Sequence, residues 1–225
     1  MVYSDACVFP YPSGDTSVRR FALEAGYLGF DSIVCADGKG GVSGEFYGVR
    51  VYRALQLRQK NQNDLVKAMR KCRFKPDIIL VSAGDATFNR AALSTGGVGI
   101  LRGIHDAGSR AFDDVCGIKA AENSVAVDID LSAIICRRGN PRQKALESFG
   151  EILKFQRKFG FPVSITSGAS SYIHMRSVDE IISLCGIFGM EEDEVKAALG
   201  SVDAIINSPP IIEVLDEAID EVIPE

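Results

Sequence analysis

"DIILVSAG" runs from Asp77 to Gly84, and its residues from Ile78 to Val81 are all apolar. Pro76 stands just before it, and Ser, Ala and Gly follow it. A strand that faces water on one side alternates apolar and polar residues. A strand that is apolar throughout belongs to a parallel sheet whose outer face is covered. This reading decides the fold, because the segments on either side repeat the same rhythm of strand then helix.

Upstream, "VYSDACV" (2–8) reads as a short strand. Asp15, Thr16 and Ser17 offer N-caps to a helix with Val18, Phe21, Ala22 and Ala25 on one stripe. "DSIVCAD" (31–37) is the next strand, "GKGGVSGE" (38–45) a glycine-rich loop, and "FYGVRVYRALQLR" (46–58) an extended segment. A helix near 63–73 precedes Pro76. Downstream, helices near 86–94 and 111–122 alternate with strands at 98–104 and 124–136. Asn140 and Pro141 form an N-cap and first-turn pair for a long helix to about 159. "FPVSITSGA" is a further strand and turn. Ser177 and Glu180 make a capping box for the helix to Phe188. A short helix spans 191–199, and "VDAIIN" (202–207) reads as the last strand. Seven or eight strands alternating with helices, with no topological switch motif, point to a (β/α) barrel of TIM type over 1–208 as a single domain. Residues 209–225 form an acidic C-terminal tail.

At 225 residues, 46% hydrophobic and 24% charged, the chain has globular composition and enough length for a full core. No run of about 18 apolar residues offers a membrane span. The opening residues lack a basic segment followed by a long apolar one, so a secretory signal is not expected. The six cysteines are scattered without a CxxC pair. They read as reduced core residues of a cytoplasmic protein. The net charge of −5 hides an asymmetry. Residues 1–176 hold 24 Lys and Arg against 17 Asp and Glu, whereas residues 177–225 hold 1 against 13. A basic body suggests a polyanionic partner. The plain counter-reading is that acidic helices solvate the C-terminus.

In a parallel barrel, functional groups sit where strands end. The strand ends here deliver Ser82, Asp85 and Arg90; Arg102 and His105; Arg137 and Arg138; and Ser167, Gly168, Tyr172, His174 and Arg176. Guanidinium groups recurring on one rim offer planar forks to phosphate oxygens. Taken singly, Arg102 and Arg176 are more readily read as partners of carboxylates such as Asp106 and Asp179; taken as a set on one rim, the guanidinium groups favour anion binding. "DGKGGVSGE" lacks phosphate-loop spacing, and "STGGVG" (94–99) precedes a strand rather than opening a helix, so neither is a nucleotide motif. Asp128 and Asp130 share a strand face. They are candidates for Mg²⁺ or acid–base work, but with no histidine beside them a structural role is favoured. Lys154, Arg157 and Lys158 form an i, i+3, i+4 stripe, read first as a solvated face and second as a phosphate contact.

"FYGVRVYRALQL", "PDIILVSAGD", "FDDVCGIKAAENSVAVDIDLSAII", "RRGNPRQKALE" and "ITSGASSYIHMRSVDEIISLCGIFGMEEDEVKAAL" resemble the ribonuclease P protein component 3 family, the 30-kDa-type subunit of archaeal and eukaryotic ribonuclease P. The length resembles its archaeal members. The resemblance implies a barrel like that of the metal-dependent (PHP-like) phosphoesterases, which open with D-x-H-x-H. Here the stretch is Asp5-Ala6-Cys7-Val8-Phe9, so Cys7 and Phe9 stand where the histidines would be. With only His105 and His174 elsewhere, no protein-bound metal or other cofactor is expected.

The resemblance further implies a subunit of the enzyme that removes the 5′ leader of precursor tRNA, in which the RNA subunit performs hydrolysis with Mg²⁺. The implied partners are ribonuclease P RNA, precursor tRNA, protein component 2 in a two-plus-two assembly, and components 1 and 4. By position, Arg90, Arg138, Lys144 and Arg176 fall where the family carries basic residues; Arg102 and His105 lie in the same rim region. Ser167 and Gly168 supply a small-residue turn that lets backbone approach a ligand. The RNA-contact set expected is therefore Arg90, Arg102, His105, Arg138, Lys144, Ser167, Gly168 and Arg176. A stand-alone barrel phosphoesterase is the alternative, and a purely structural module that dimerises through its acidic helices is a third reading.

Overall fold

Inward and outward side chains alternate along the central strands, and this parity organises the molecule. The computed structural model describes residues 2–36, 42–108 and 110–207. The tail assigned to 209–225 and residues 38–41 of the glycine-rich loop lie outside the described residues. Seven strands run parallel in the order β1 (Ser4–Val8), β2 (Ser32–Cys35), β4 (Val49–Leu57), β5 (Ile78–Ser82), β6 (Ile100–Arg102), β7 (Ala126–Asp130) and β8 (Val163–Thr166). β3 (Gly44–Phe46) pairs antiparallel with β4 as a hairpin. The hairpin turns at Tyr47 and Gly48, both at positive φ, a conformation that glycine adopts without strain.

The helices that cover the sheet are α1 (Val18–Tyr27), α2 (Gln62–Arg70), α3 (Ala86–Leu93), α4 (Asp114–Glu122), α5 (Ser132–Ile135), α6 (Asn140–Phe159), α7 (Val178–Gly186), α8 (Glu192–Leu199) and α9 (Ser201–Asn207). Their starts follow the capping expected from sequence. Ser17 accepts from the Arg20 amide, and Ser177 and Glu180 form a reciprocal capping box. Gly139 rather than Asn140 is the N-cap of α6, and Pro141 sits in its first turn.

Outward residues of the strands, such as Val81, Leu101, Val127, Ile129 and Ile165, join the helices in a large apolar cluster. Inward residues form a second, smaller cluster built from Ala6, Val34, Ala54, Ile78, Leu80, Ile100 and Ala126. Its lower end is closed by Val202, Ile205 and Ile206 of α9. The segment 202–207 is therefore a helix and not the strand its sequence suggests. A short apolar run has no decisive period, and here the open lower end of the barrel selects the helix. Similarly, 132–135 leaves the strand read over 124–136 and turns into α5. Four cysteines are buried as expected, but Cys136 is exposed and Cys72 half-buried.

No ladder joins β8 to β1. Polar groups close the barrel instead. Phe9 N donates to Ala169 O (2.8 Å), Thr166 Oγ1 to Cys7 O (2.5 Å), and Ser167 N to Asp5 Oδ1 (3.0 Å).

Candidate functional site

Strand parity turns Ile100 and Arg102 into the barrel, along with Asp128, Asp130, Ser164 and Thr166. Arg102 is only 4% exposed. Its Nε donates to Asp128 Oδ2 (2.8 Å), its Nη2 to Asp130 Oδ2 (2.9 Å) and its Nη1 to Cys7 Sγ (3.0 Å). The Phe9 ring covers the guanidinium, with its centroid 5.4 Å from Cζ. Ser164 Oγ donates to the other Asp128 oxygen (3.1 Å). Small residues at 6, 36, 54 and 126 leave the interior room for this long side chain. A planar fork with several donors suits three acceptors at once.

Burial works against the charge on Arg102, but the Asp128 and Asp130 carboxylates override it and raise its pKa, so it remains a cation. Burial pushes the Asp128 carboxyl up to about 7, opposed by Arg102. Burial likewise pushes the Cys7 thiol up to about 12, so it is a neutral thiol at pH 7. Asp5 is also raised by burial, although Ser167, Cys7 and Thr166 donate toward it. Its Oδ2 is buried without a partner.

This geometry corrects part of the rim expected from sequence. Arg102 is inside the barrel, bound to Asp128 and Asp130 rather than to Asp106, and is not presented to a ligand. His105 has a side chain only 2% exposed, set edge-on to Phe149, and burial lowers its pKa. It is a neutral packed ring and not a rim cation. Ser167 is buried, and Gly168 packs under Asp130. The turn at 167–171 meets the β1–α1 loop through Phe9–Ala169 and Asp15–Ser170 hydrogen bonds. Its small residues therefore serve chain-to-chain approach.

Arg90 is exposed and paired with Asp113, the N-cap of α4. That pairing holds the Asp113 carboxyl down to about 2. Arg137 is held by a two-pronged contact with Asp106 at 2.6 and 2.7 Å. Arg176 is half-buried and donates to the carbonyls of Ile173 and Met175, not to Asp179. Arg138 and Lys144 are exposed, in the loop between α5 and α6 and in the first turns of α6, with no ion pair to a described residue. Lys154, Arg157 and Lys158 are each paired, with Glu151, Glu194 and Asp114.

Two features were missed from sequence. Arg58 and Lys60, past the end of β4, line the cleft at the mouth together with Phe9, Gln56 and Ser82. Their signal was present, as cations at a strand end. Buried Asn89 accepts from Gly84 N and donates to Gly84 O and Ala111 O, fixing two mouth loops. Nothing local distinguishes it from a surface asparagine on a helix.

The profile of the family described as RNase P subunit p30 matches residues 2–209. The chain belongs to this family. Ribonuclease P protein component 3 of Methanococcoides burtonii is 31% identical over 201 residues, covering 88% of this chain and 83% of that protein. The protein of the same name from Methanothermobacter thermautotrophicus is 35% identical over 163 residues, covering 72% of this chain and 66% of that protein. Among solved structures, a chain of an archaeal ribonuclease P determined with mature tRNA superposes with a TM-score of 0.76 at 19% identity, covering 99% of this chain and 95% of that one. A histidinol phosphate phosphatase from Lactococcus lactis, determined with zinc, L-histidinol and phosphate, superposes at 0.52 with 9% identity, covering 90% of this chain and 93% of that one.

The phosphatase likeness makes a metal at the mouth worth testing against the residues of this p30-family chain. They do not fit one. Cys7 Sγ accepts from Arg102, Phe9 offers no donor, and Asp128 and Asp130 each commit an oxygen to Arg102. Among the described residues, no group of three or more His, Cys, Asp or Glu is placed to hold an ion. Among them, too, no helix is long and apolar enough to cross a membrane.

Proposed function

We propose that this p30-family chain is a protein subunit of ribonuclease P, which removes the 5′ leader of precursor tRNA. In this reading it binds and supports the RNA subunit together with protein component 2, alongside components 1 and 4, in the cytoplasm. The RNA subunit supplies hydrolysis with Mg²⁺, and the polypeptide is not itself catalytic. One observation carries the last point. The mouth of the barrel is filled by its own cation, Arg102, which engages the carboxylates that a hydrolytic site would need. The names of the relatives and the archaeal ribonuclease P structure support the assembly.

Reconstitution tests it. Precursor tRNA cleavage by ribonuclease P RNA with the other protein components is expected to fall when this chain is left out and to return when it is added. The isolated chain is expected to cleave neither precursor tRNA nor a generic phosphate monoester, with Mn²⁺ or Zn²⁺ present. Hydrolysis by the isolated chain that disappears on Asp5→Ala would instead establish the phosphoesterase.

The exposed rim pair gives a second expected result. Arg138→Ala with Lys144→Ala removes two cations that have no ion-pair partner among the described residues. Unfolding free energy is expected to stay within about 0.5 kcal/mol of the parent. Affinity for the RNA subunit is expected to drop, with the log K versus log salt slope shallower by roughly 1–2. Equal slopes for parent and variant would remove these two residues from the interface.

A further inference from the structure

The charge asymmetry of the chain resolves into one segment. Residues 50–77 contain nine Lys and Arg against two Asp. Taking these from the 24 cations and 17 anions of residues 1–176 leaves 15 of each sign. The basic excess of the body is therefore confined to 28 consecutive positions, and the remainder is neutral.

Folding spreads this segment over one flank of the barrel. Arg53 lies on β4, and Arg58 and Lys60 follow its end. α2 buries Leu65, while Lys67 and Arg70 remain exposed. Arg73 and Lys75 are exposed in the loop that leads to β5. From Arg50 to Leu57 β4 rises roughly 23 Å at strand geometry. A nucleic-acid strand carries one charge per roughly 3.4 Å, so about seven phosphates span that height.

Elsewhere, several exposed cations are neutralised, Arg90 by Asp113, Arg157 by Glu194 and Lys158 by Asp114, while Arg19, Arg110, Arg138 and Lys144 stand scattered without an ion pair among the described residues. On this flank none of the nine forms an ion pair among the described residues. The two acids are engaged otherwise. Asp64 accepts from Asn61, and Asp77 accepts from the Arg53 amide. Arg53 lies over the Phe74 ring, 5.9 Å from its centroid, with Nε buried and unpartnered. Clustered like charges oppose folding unless an external anion answers them.

We infer that this flank, formed by β4, α2 and the 71–77 loop, is a second polyanion surface that docks the sugar–phosphate backbone of structured RNA. It is separate from Arg138 and Lys144, and it rests on the ribonuclease P reading above. An acidic peptide, including the chain's own acidic residues after 207, is the other class of anion. A cation row of strand height, within a ribonucleoprotein family, favours RNA.

The test uses the full-length chain and a fluorescein-labelled 20-base-pair RNA stem-loop, titrated at several salt concentrations. The flank variant carries Lys67→Ala, Arg70→Ala, Arg73→Ala and Lys75→Ala. The control carries Lys154→Ala and Lys196→Ala, one exposed and one half-buried cation already paired with Glu151 and Glu192. The flank variant is expected to bind about 100-fold more weakly at 0.1 M salt, with a slope shallower by about 3, and the control to bind like the parent. Unchanged flank-variant binding overturns the inference, as does tighter binding, which is expected if the flank holds the acidic end of the chain. An equal loss in the control also overturns it. If the parent fails to bind the stem-loop while reconstituted cleavage still requires the chain, this inference falls and the proposed function stands. If the quadruple variant unfolds, the loop pair Arg73→Ala and Lys75→Ala is read instead, with about a tenfold loss expected.

Discussion

Arg102→Met is expected to lower the unfolding free energy by about 3–5 kcal/mol, the range for breaking a buried ion pair from one side. Methionine keeps much of the apolar stem but leaves Asp128, which is 0% exposed, and Asp130 without their cation. Arg102→Lys is expected to recover only part of the loss, because one ammonium cannot reach all three acceptors with the geometry of a guanidinium. The pH dependence separates charge from packing. A carboxyl whose folded pKa is raised keeps its proton longer in the folded state than in the unfolded one. Its contribution is complete below the ordinary carboxyl value of 3.8 and fades as pH rises to about 7, the folded value for Asp128. Without Arg102, burial acts on Asp128 unopposed and extends that window upward. The variant's deficit should therefore widen as pH rises above about 7, as read by urea unfolding across pH. A loss under about 1 kcal/mol that is flat with pH would show that the cluster is held by packing.

Gly168→Val is expected to be a folding mutation. Gly168 sits at φ +57, and a Cβ there would lie 2.5 Å from Asp130 Oδ1 and 3.0 Å from Ser132 Oγ. Positive φ in a β-branched residue costs about 1–3 kcal/mol. Overpacking adds about 1–3 kcal/mol. The displaced group is the carboxylate that holds Arg102, so the damage spreads into the mouth. Thermal melts should show a large drop, with near-normal RNA affinity in whatever fraction folds. This reverses the expectation from sequence, in which the glycine kept a path open for ligand. A variant that melts like the parent but loses RNA binding would restore that earlier role.

The strand–helix alternation, the parallel sheet and most helix starts were legible because they depend on local signals. A continuous apolar run marked β5, and capping residues marked α1 and α7. The hairpin of β3 with β4 was not legible, because the 46–58 segment reads as one extended run. The site was legible only in outline. Sequence identified which side chains stand at strand ends, and it favoured a structural role for Asp128 and Asp130. It did not show that Arg102 turns inward to meet them, since that depends on β6 lying beside β7 and on Cys7 arriving from β1.

Residue order alone determined most of the elements, the absence of histidine before His105 and the basic excess of residues 50–77. Tertiary structure alone decided which cations are spent within the protein. Arg90, Arg102 and Arg137 look equivalent at three strand ends, yet one is buried and two are paired at the surface. Charge pairing acts over a few ångströms between groups 23 to 31 positions apart in the chain. Only the fold brings such groups within reach of each other.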